Sequence, residues 1–141
     1  MPSAARKQLP RTWRSRLRHG VNVFDASALL AYLQGEDGSA VVETALEAGG
    51  LCGAANWSEV AQKLRSHDRN WALSRSLLLS YGLVIEPVTV EDAEAAARSW
   101  QSGRGLSLAD RLCLALGDRL DVPVLTADRA WGAAGRIQQI R

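Results

Sequence analysis

The apolar positions of this chain change their period again and again along its length. Val21-Asn-Val-Phe24 is a short β-prone run that stops at Asp25, and Ala26 to Leu33 follows as a nearly all-apolar helix closed by Gly35. Glu36 to Ala48 carries Val41, Val42, Ala45 and Leu46 at helical spacing and ends at Gly49-Gly50. Leu51 to Ala54 reads as a second strand, Asn56 to Ser66 as a helix, and Trp71 to Tyr81 as another, ended by Gly82. Leu83 to Val88 is a third strand. Thr89 with Asp92 then resembles a capping box, in which cap and third residue bond each other's backbone, opening a helix to Trp100. Beyond the Gly-rich loop Gln101 to Gly105, Ser107 to Leu120 is a strongly apolar helix. Val122 to Thr126 is a fourth strand, Ala127 to Trp131 a short helical turn, and Arg136 to Ile140 a last strand at the edge. Strands alternating with helices predict an α/β sandwich around a mainly parallel sheet of four to five strands. Ligands of such sheets bind beyond the carboxyl ends of the strands, the edge on which Asp25 and Asp128 fall.

With 141 residues, 47% hydrophobic and 23% charged, the chain has the composition of one ordinary globular domain. The uncharged stretch Ala26 to Gly35 is far too short to span a bilayer, so no membrane partner is expected. Cys52 and Cys113 lie in apolar stretches without CxxC spacing or clustered histidines, and read as small buried hydrophobes in a reducing cytoplasm.

Charge divides the chain in two. Residues 1–20 hold six basic side chains and no acid, for +6, while residues 21–141 sum to −4. The arm is expected to be solvated and disordered, with some attraction for phosphate. Asp25 interrupts what would have to be a signal peptide's apolar stretch; an organelle transit peptide and a natural start at Val21 remain open.

Four carboxylates stand where a carboxylate is costly or pre-positioned. Asp25 separates a strand from an apolar helix and can cap that helix. Glu59 and Asp110 each follow a candidate cap, Asn56 and Ser107, by three residues, where the helix dipole favours negative charge. Glu59 also has Lys63 four residues on, a common surface pair. Asp110 has no cation at either fourth neighbour and sits on a helix that reads as almost wholly buried, so an outside cation is the simplest partner. Asp128 follows the fourth strand and can cap the turn at Ala130-Trp131. Thr126 can orient a carboxylate or a water, or is simply a β-branched strand residue. Acids gathered at one edge raise one another's pKa unless a cation neutralises them, and hard oxygen donors suit Mg²⁺ or Mn²⁺, which activate water and stabilise charge on a phosphate. His19 and His67 leave little material for a Ser-His-Asp triad or a two-histidine nuclease.

The blocks Val21-Asn-Val-Phe-Asp25-Ala-Ser-Ala-Leu-Leu-Ala31, Ser58-Glu59-Val60, Leu106-Ser-Leu-Ala-Asp110-Arg-Leu-Cys-Leu-Ala-Leu116 and Val124-Leu-Thr-Ala-Asp128-Arg-Ala-Trp131 resemble the four acidic blocks of VapC-type PIN-domain toxins. The acids follow in order with gaps of 34, 51 and 18 residues, and the likeness spans about residues 21–140. The resemblance implies a PIN-like three-layer α/β/α sandwich over residues 21–141 and a Mg²⁺- or Mn²⁺-dependent endoribonuclease that arrests translation. Asp25, Glu59 and Asp110 would form the main acidic site, Asp128 its fourth member, and Ser27 and Thr126 its supporting hydroxyls. It implies RNA as substrate, a homodimer, and a VapB-like antitoxin packed on the helices that carry Trp57, Val60, Leu64, Trp71, Leu73 and Leu77. Ordinary core packing is expected for at least half of those six. Ala109 stands where relatives often have Gly, and nothing in the resemblance assigns a role to the basic arm.

Other readings have specific obstacles. A catalytically silent PIN-like module binding RNA or protein has no reason to keep an anionic pocket facing a polyanion. A receiver domain expects a lysine ending a late strand, whereas Lys7 and Lys63 are the only lysines. An aspartyl-phosphate phosphatase wants Asp-x-Asp, and Asp25-Ala-Ser27 lacks the second acid.

Overall fold

A computed structural model describes residues 20–141; the basic arm, apart from Gly20, lies outside the described residues. Five strands, β1 (Asn22–Phe24), β2 (Gly50–Gly53), β3 (Val84–Glu86), β4 (Val124–Thr126) and β5 (Ile137–Gln139), form one sheet in the order β3-β2-β1-β4-β5. Every pairing is parallel, with Val23 opposite Leu51 on one side and Val124 on the other. Among the described residues the helices are α1 (Ala26–Gln34), α2 (Ser39–Glu47), α3 (Ala54–Ser66), α4 (Trp71–Ser80), α5 (Val90–Arg98) and α6 (Leu108–Leu120), with a 3₁₀ turn at Arg129–Trp131.

Strand side chains alternate between faces, and here that alternation builds two cores. Phe24, Cys52 and Leu125 point to one face, where Leu29, Val42, Leu46, Val60, Leu64 and Leu78 from α1 to α4 cover them. Val23, Leu51 and Val124 point to the other, covered by Cys113, Leu116 and Leu120 of α6. This is the expected three-layer α/β/α sandwich. Gly117 lets α6 settle on the sheet, because a Cβ there would strike the side chain of Val124. Gly50 serves the same purpose within it: a Cβ would meet the Asn22 carbonyl and the Phe24 ring.

Several expected details change. Helix α3 begins at Ala54, directly after Gly53, with no side-chain cap, so Asn56 lies inside it rather than capping it. Thr89 caps α5 by accepting from the Asp92 N–H, but the Asp92 carboxylate does not return the bond. Instead it takes Arg119 of α6 in a two-pronged pair at 2.8 and 3.1 Å. Helix α6 is amphipathic rather than almost wholly buried, with Leu108 exposed and Leu112 and Leu114 half-buried. Of the six apolar residues singled out on α3 and α4, Val60 and Leu64 are buried, and Trp57 and Trp71 are half-buried, packed edge to face at 4.9 Å. Leu73 and Leu77 are exposed. Cys52 and Cys113 are buried free thiols. No helix among the described residues is long and apolar enough to cross a membrane.

Candidate active site

The chain leaves β1 toward β2 and β3 on one side and later fills the other side with β4 and β5, so the direction of winding reverses between β1 and β4. Open parallel sheets hold their ligands in the crevice at such a reversal. Asp25 follows β1 directly, and Asp128 lies two residues beyond β4. Glu59 comes in from the second turn of α3 and Asp110 from the first turn of α6. All four carboxylates, with Ser27 and Lys63, line one cavity of about 220 Å³.

Asp25 is only 3% exposed and is held from three directions. Its Oδ1 accepts the Ala28 N–H at 2.8 Å, so it does cap α1. Thr126 Oγ1 donates to Oδ2 at 2.7 Å, and Ser27 Oγ lies 2.8 and 2.9 Å from the two oxygens. Each hydroxyl has a single proton to give and uses its lone pairs elsewhere: Ser27 accepts the Ala127 N–H at 2.9 Å and Thr126 the Asp128 N–H at 3.0 Å. The two hydroxyls therefore join the end of β1 to the end of β4, fixing Asp25 and the Asp128 backbone together. Thr126 is fully buried behind the cavity, and its part is positioning.

The other acids are held more loosely. Asp110 forms a complete capping box with Ser107: its carboxylate accepts the Ser107 N–H at 3.0 Å, and Ser107 Oγ accepts the Asp110 N–H at 3.1 Å. The cap expected at Ser107 is therefore present; it engages one carboxylate oxygen and leaves the other for the cavity. Glu59 is not at a helix start. Its Oε1 accepts from Asn56 Nδ2 at 3.0 Å, and that amide also reaches the Ala109 carbonyl at 3.4 Å, linking α3 to α6 beside Asp110. Asp128 is exposed and caps the 3₁₀ turn through the Ala130 N–H at 2.9 Å. For Asp25, Asp110 and Asp128 capping and convergence on the cavity coexist.

Burial pushes the Asp25 carboxyl up to about 6, against the bonds from Thr126, Ala28 and Ser27, and the charge of Asp110 pushes the same way. Glu59 is also raised, first by burial and then by Asp110, with Asn56 and Lys63 opposing. Carboxylates that discourage one another's ionisation are a donor set that a hard divalent cation neutralises. Among the described residues no three acids close tightly enough round one point to hold an ion together. The cavity nevertheless fits the way Mg²⁺ is bound, through one or two carboxylates with several retained waters.

A family model described as the PIN domain matches residues 23–137. Over 115 residues the chain is 32% identical to the VapC ribonuclease Mb2780c of Mycobacterium bovis and to ribonuclease VapC42 of Mycobacterium tuberculosis, covering 73% of this chain and 87% of each relative. The chain belongs to the PIN-domain family, in its VapC branch. A solved toxin-antitoxin complex from Klebsiella pneumoniae shares the PIN fold, with a TM-score of 0.68 at 18% identity over 85% of this chain and 98% of that one.

Two features of this PIN domain's cavity were not legible as such. Asn56, read as a cap, is a buried amide bracing Glu59, and its place inside the helix could have been found only from the uncapped turn at Gly53-Ala54. Lys63, read as a surface partner of Glu59, lines the acidic cavity, and a four-residue spacing signals only that the two share a helix face.

Proposed function

We propose that this PIN domain is the toxin of a VapBC-type pair, a Mg²⁺- or Mn²⁺-dependent endoribonuclease that cleaves RNA and thereby inhibits translation and growth. One observation carries the reading: carboxylates from four distant stretches, Asp25, Glu59, Asp110 and Asp128, line a single small cavity at the switch point of a parallel sheet. The names of the curated relatives, both ribonucleases, support the reaction class, and the name of the solved complex supports a protein antitoxin as partner.

In this reading Asp25, Glu59, Asp110 and Asp128 would hold the ion. Once bound, it supplies a nucleophilic water and a counter-charge for the phosphate in the transition state. The chain's own contribution is arrangement. Ser27 and Thr126 keep the Asp25 carboxylate from turning, Ser107 does the same for Asp110, and Asn56 for Glu59. Such preorganisation matters because misplacement by about 1 Å can cost on the order of a hundredfold in rate. Exposed Leu73 and Leu77 on α4 suit an antitoxin segment that lays an apolar face there, and a homodimer accords with the family.

The test is incubation of the purified protein with total RNA, with Mg²⁺ and with a chelator, followed by mapping of cut ends. Discrete cuts that require the ion support the reading. A folded protein that binds RNA with Mg²⁺ present and leaves it whole is instead a silent binding module.

A further inference from the structure

A second cavity, of about 500 Å³, opens from the acidic one. Ser27, Leu30, Lys63 and Asp128 line both, so the two are chambers of one groove. Their chemistry differs sharply. The small chamber sets four acids against one lysine, whereas the large one is lined by Lys63, Arg129 and Arg141, with Glu36 and Asp128 as its acids. Both of those acids are already engaged. Glu36 meets Arg141 at 3.3 Å, and Asp128 takes the Ala130 N–H. Among the described residues neither Lys63 nor Arg129 is in a salt bridge. Arg129 therefore faces an open chamber next to the acids with no ion-pair partner among the described residues, while the charge of Lys63 acts on Glu59 at the boundary of the two chambers.

These cations come from three separate places: Lys63 from the last turn of α3, Arg129 from the 3₁₀ turn after β4, and Arg141 from the end of the chain. The 3₁₀ turn that presents Arg129 is fixed by the same Asp128 that faces the acids, so the two charges keep a set relation. Lys63 is held from the backbone side as well. His67 lies one turn on, and its Nδ1 donates to the Lys63 carbonyl at 2.8 Å.

We propose that this larger chamber is the track for the single-stranded RNA adjoining the bond to be cut, with Lys63 and Arg129 holding phosphates next to the scissile one. The inference rests on the ribonuclease reading and gives it a direction: the strand runs from the acidic chamber over Lys63 toward Arg129 and Arg141. A chamber of this volume is on the scale of a drug-sized ligand and suits an unpaired segment rather than a duplex. Grooves that bind single strands without base readout use such cations to follow the backbone.

The test uses Lys63→Ala, Arg129→Ala and their double variant, with Arg98→Ala, an exposed cation of α5 away from both chambers, as control. Two quantities are measured with Mg²⁺ present: KM and kcat on an oligoribonucleotide, and, with each variant placed in an Asp110→Asn background that should not cut, the salt dependence of binding to the same oligoribonucleotide. Removing the cation that neutralises one phosphate should flatten the slope of log K against log salt by about 0.7 for a single strand, so the double variant should lose about 1.4. KM should rise several-fold more than kcat falls, the penalty should shrink on a dinucleotide, and Lys63→Arg and Arg129→Lys should restore most of the slope. Wild-type slope and KM in the double variant would overturn the track while leaving the nuclease standing. A folded wild-type protein that neither binds nor cuts RNA would remove the ribonuclease reading, and the track with it.

Discussion

Replacing Asp25 by Asn should abolish cleavage and yet make the metal-free protein more stable at neutral pH. The carboxyl titrates at 3.8 when unperturbed and at about 6 in the fold, so the folded state holds its proton more tightly than the unfolded chain does. Stability linked to this group therefore falls as pH rises from 3.8 to about 6 and is lowest above that window. At 1.36 kcal/mol per pKa unit, keeping Asp25 ionised costs the fold about 3 kcal/mol at pH 7.5. Asn avoids that cost and its oxygen can still accept the Ala28 N–H. Its amide must donate toward the hydroxyls of Thr126 or Ser27, which must turn to accept, and imperfect bonding there gives back about 1 kcal/mol. The net gain is about 1–2 kcal/mol, which moves a urea midpoint up by roughly 0.5–1 M for a typical m-value. Urea unfolding with chelator at pH 4, 5, 6 and 7.5 should show the gain growing with pH, and Mg²⁺ should stabilise the wild type far more than the variant. An Asn variant less stable than wild type at pH 7.5, or parallel to it across the series, would refute the reasoning.

Asp110→Asn should remove cleavage while changing stability by less than about 1 kcal/mol, since Asn can still accept the Ser107 N–H; kinetics and thermal melts together separate capping from catalysis. Arg119→Ala should destabilise by about 3 kcal/mol, because Asp92, 6% exposed at its side chain, loses a two-pronged partner; a chemical denaturation curve reads this directly. Gly117→Ala should cost about 1–3 kcal/mol through overpacking against Val124, with calorimetry as the check. Removal of residues 1–20 should leave metal-dependent cleavage in place and at most weaken RNA affinity, as measured on the truncated protein.

The layered fold was legible because strand and helix periods alternate cleanly, and short parallel strands such as Val23-Phe24 feed one residue to each core. The local environments of the acids were less so. Ser107 and Asp110 read as a capping box and form one, but the same rule applied to Asn56 and Glu59 misplaced the start of α3, because Gly53 and Ala54 can begin a helix without any side-chain signal. At Thr89 and Asp92 the rule held by half, since a guanidinium 27 residues on outcompetes a backbone N–H for the carboxylate. Lys63 was legible as a neighbour of Glu59 and not as a lining of two cavities, because that depends on Ser27 and Asp128, which only the fold brings near it.

The bond from Thr126 to Asp25 spans 101 residues. A chain emerging from the ribosome at about 5–20 residues per second makes Asp25 early and must wait several seconds for β4, without which the central strand has a bare side and its carboxylate lacks its strongest clasp. The acidic chamber is thus finished late, with only the 3₁₀ turn, β5 and the residues around them still to come. Nascent chains carry Asp25 and Glu59 long before Asp110 and Asp128 complete the cavity, which leaves an interval in which a binding partner can meet the exposed helices first.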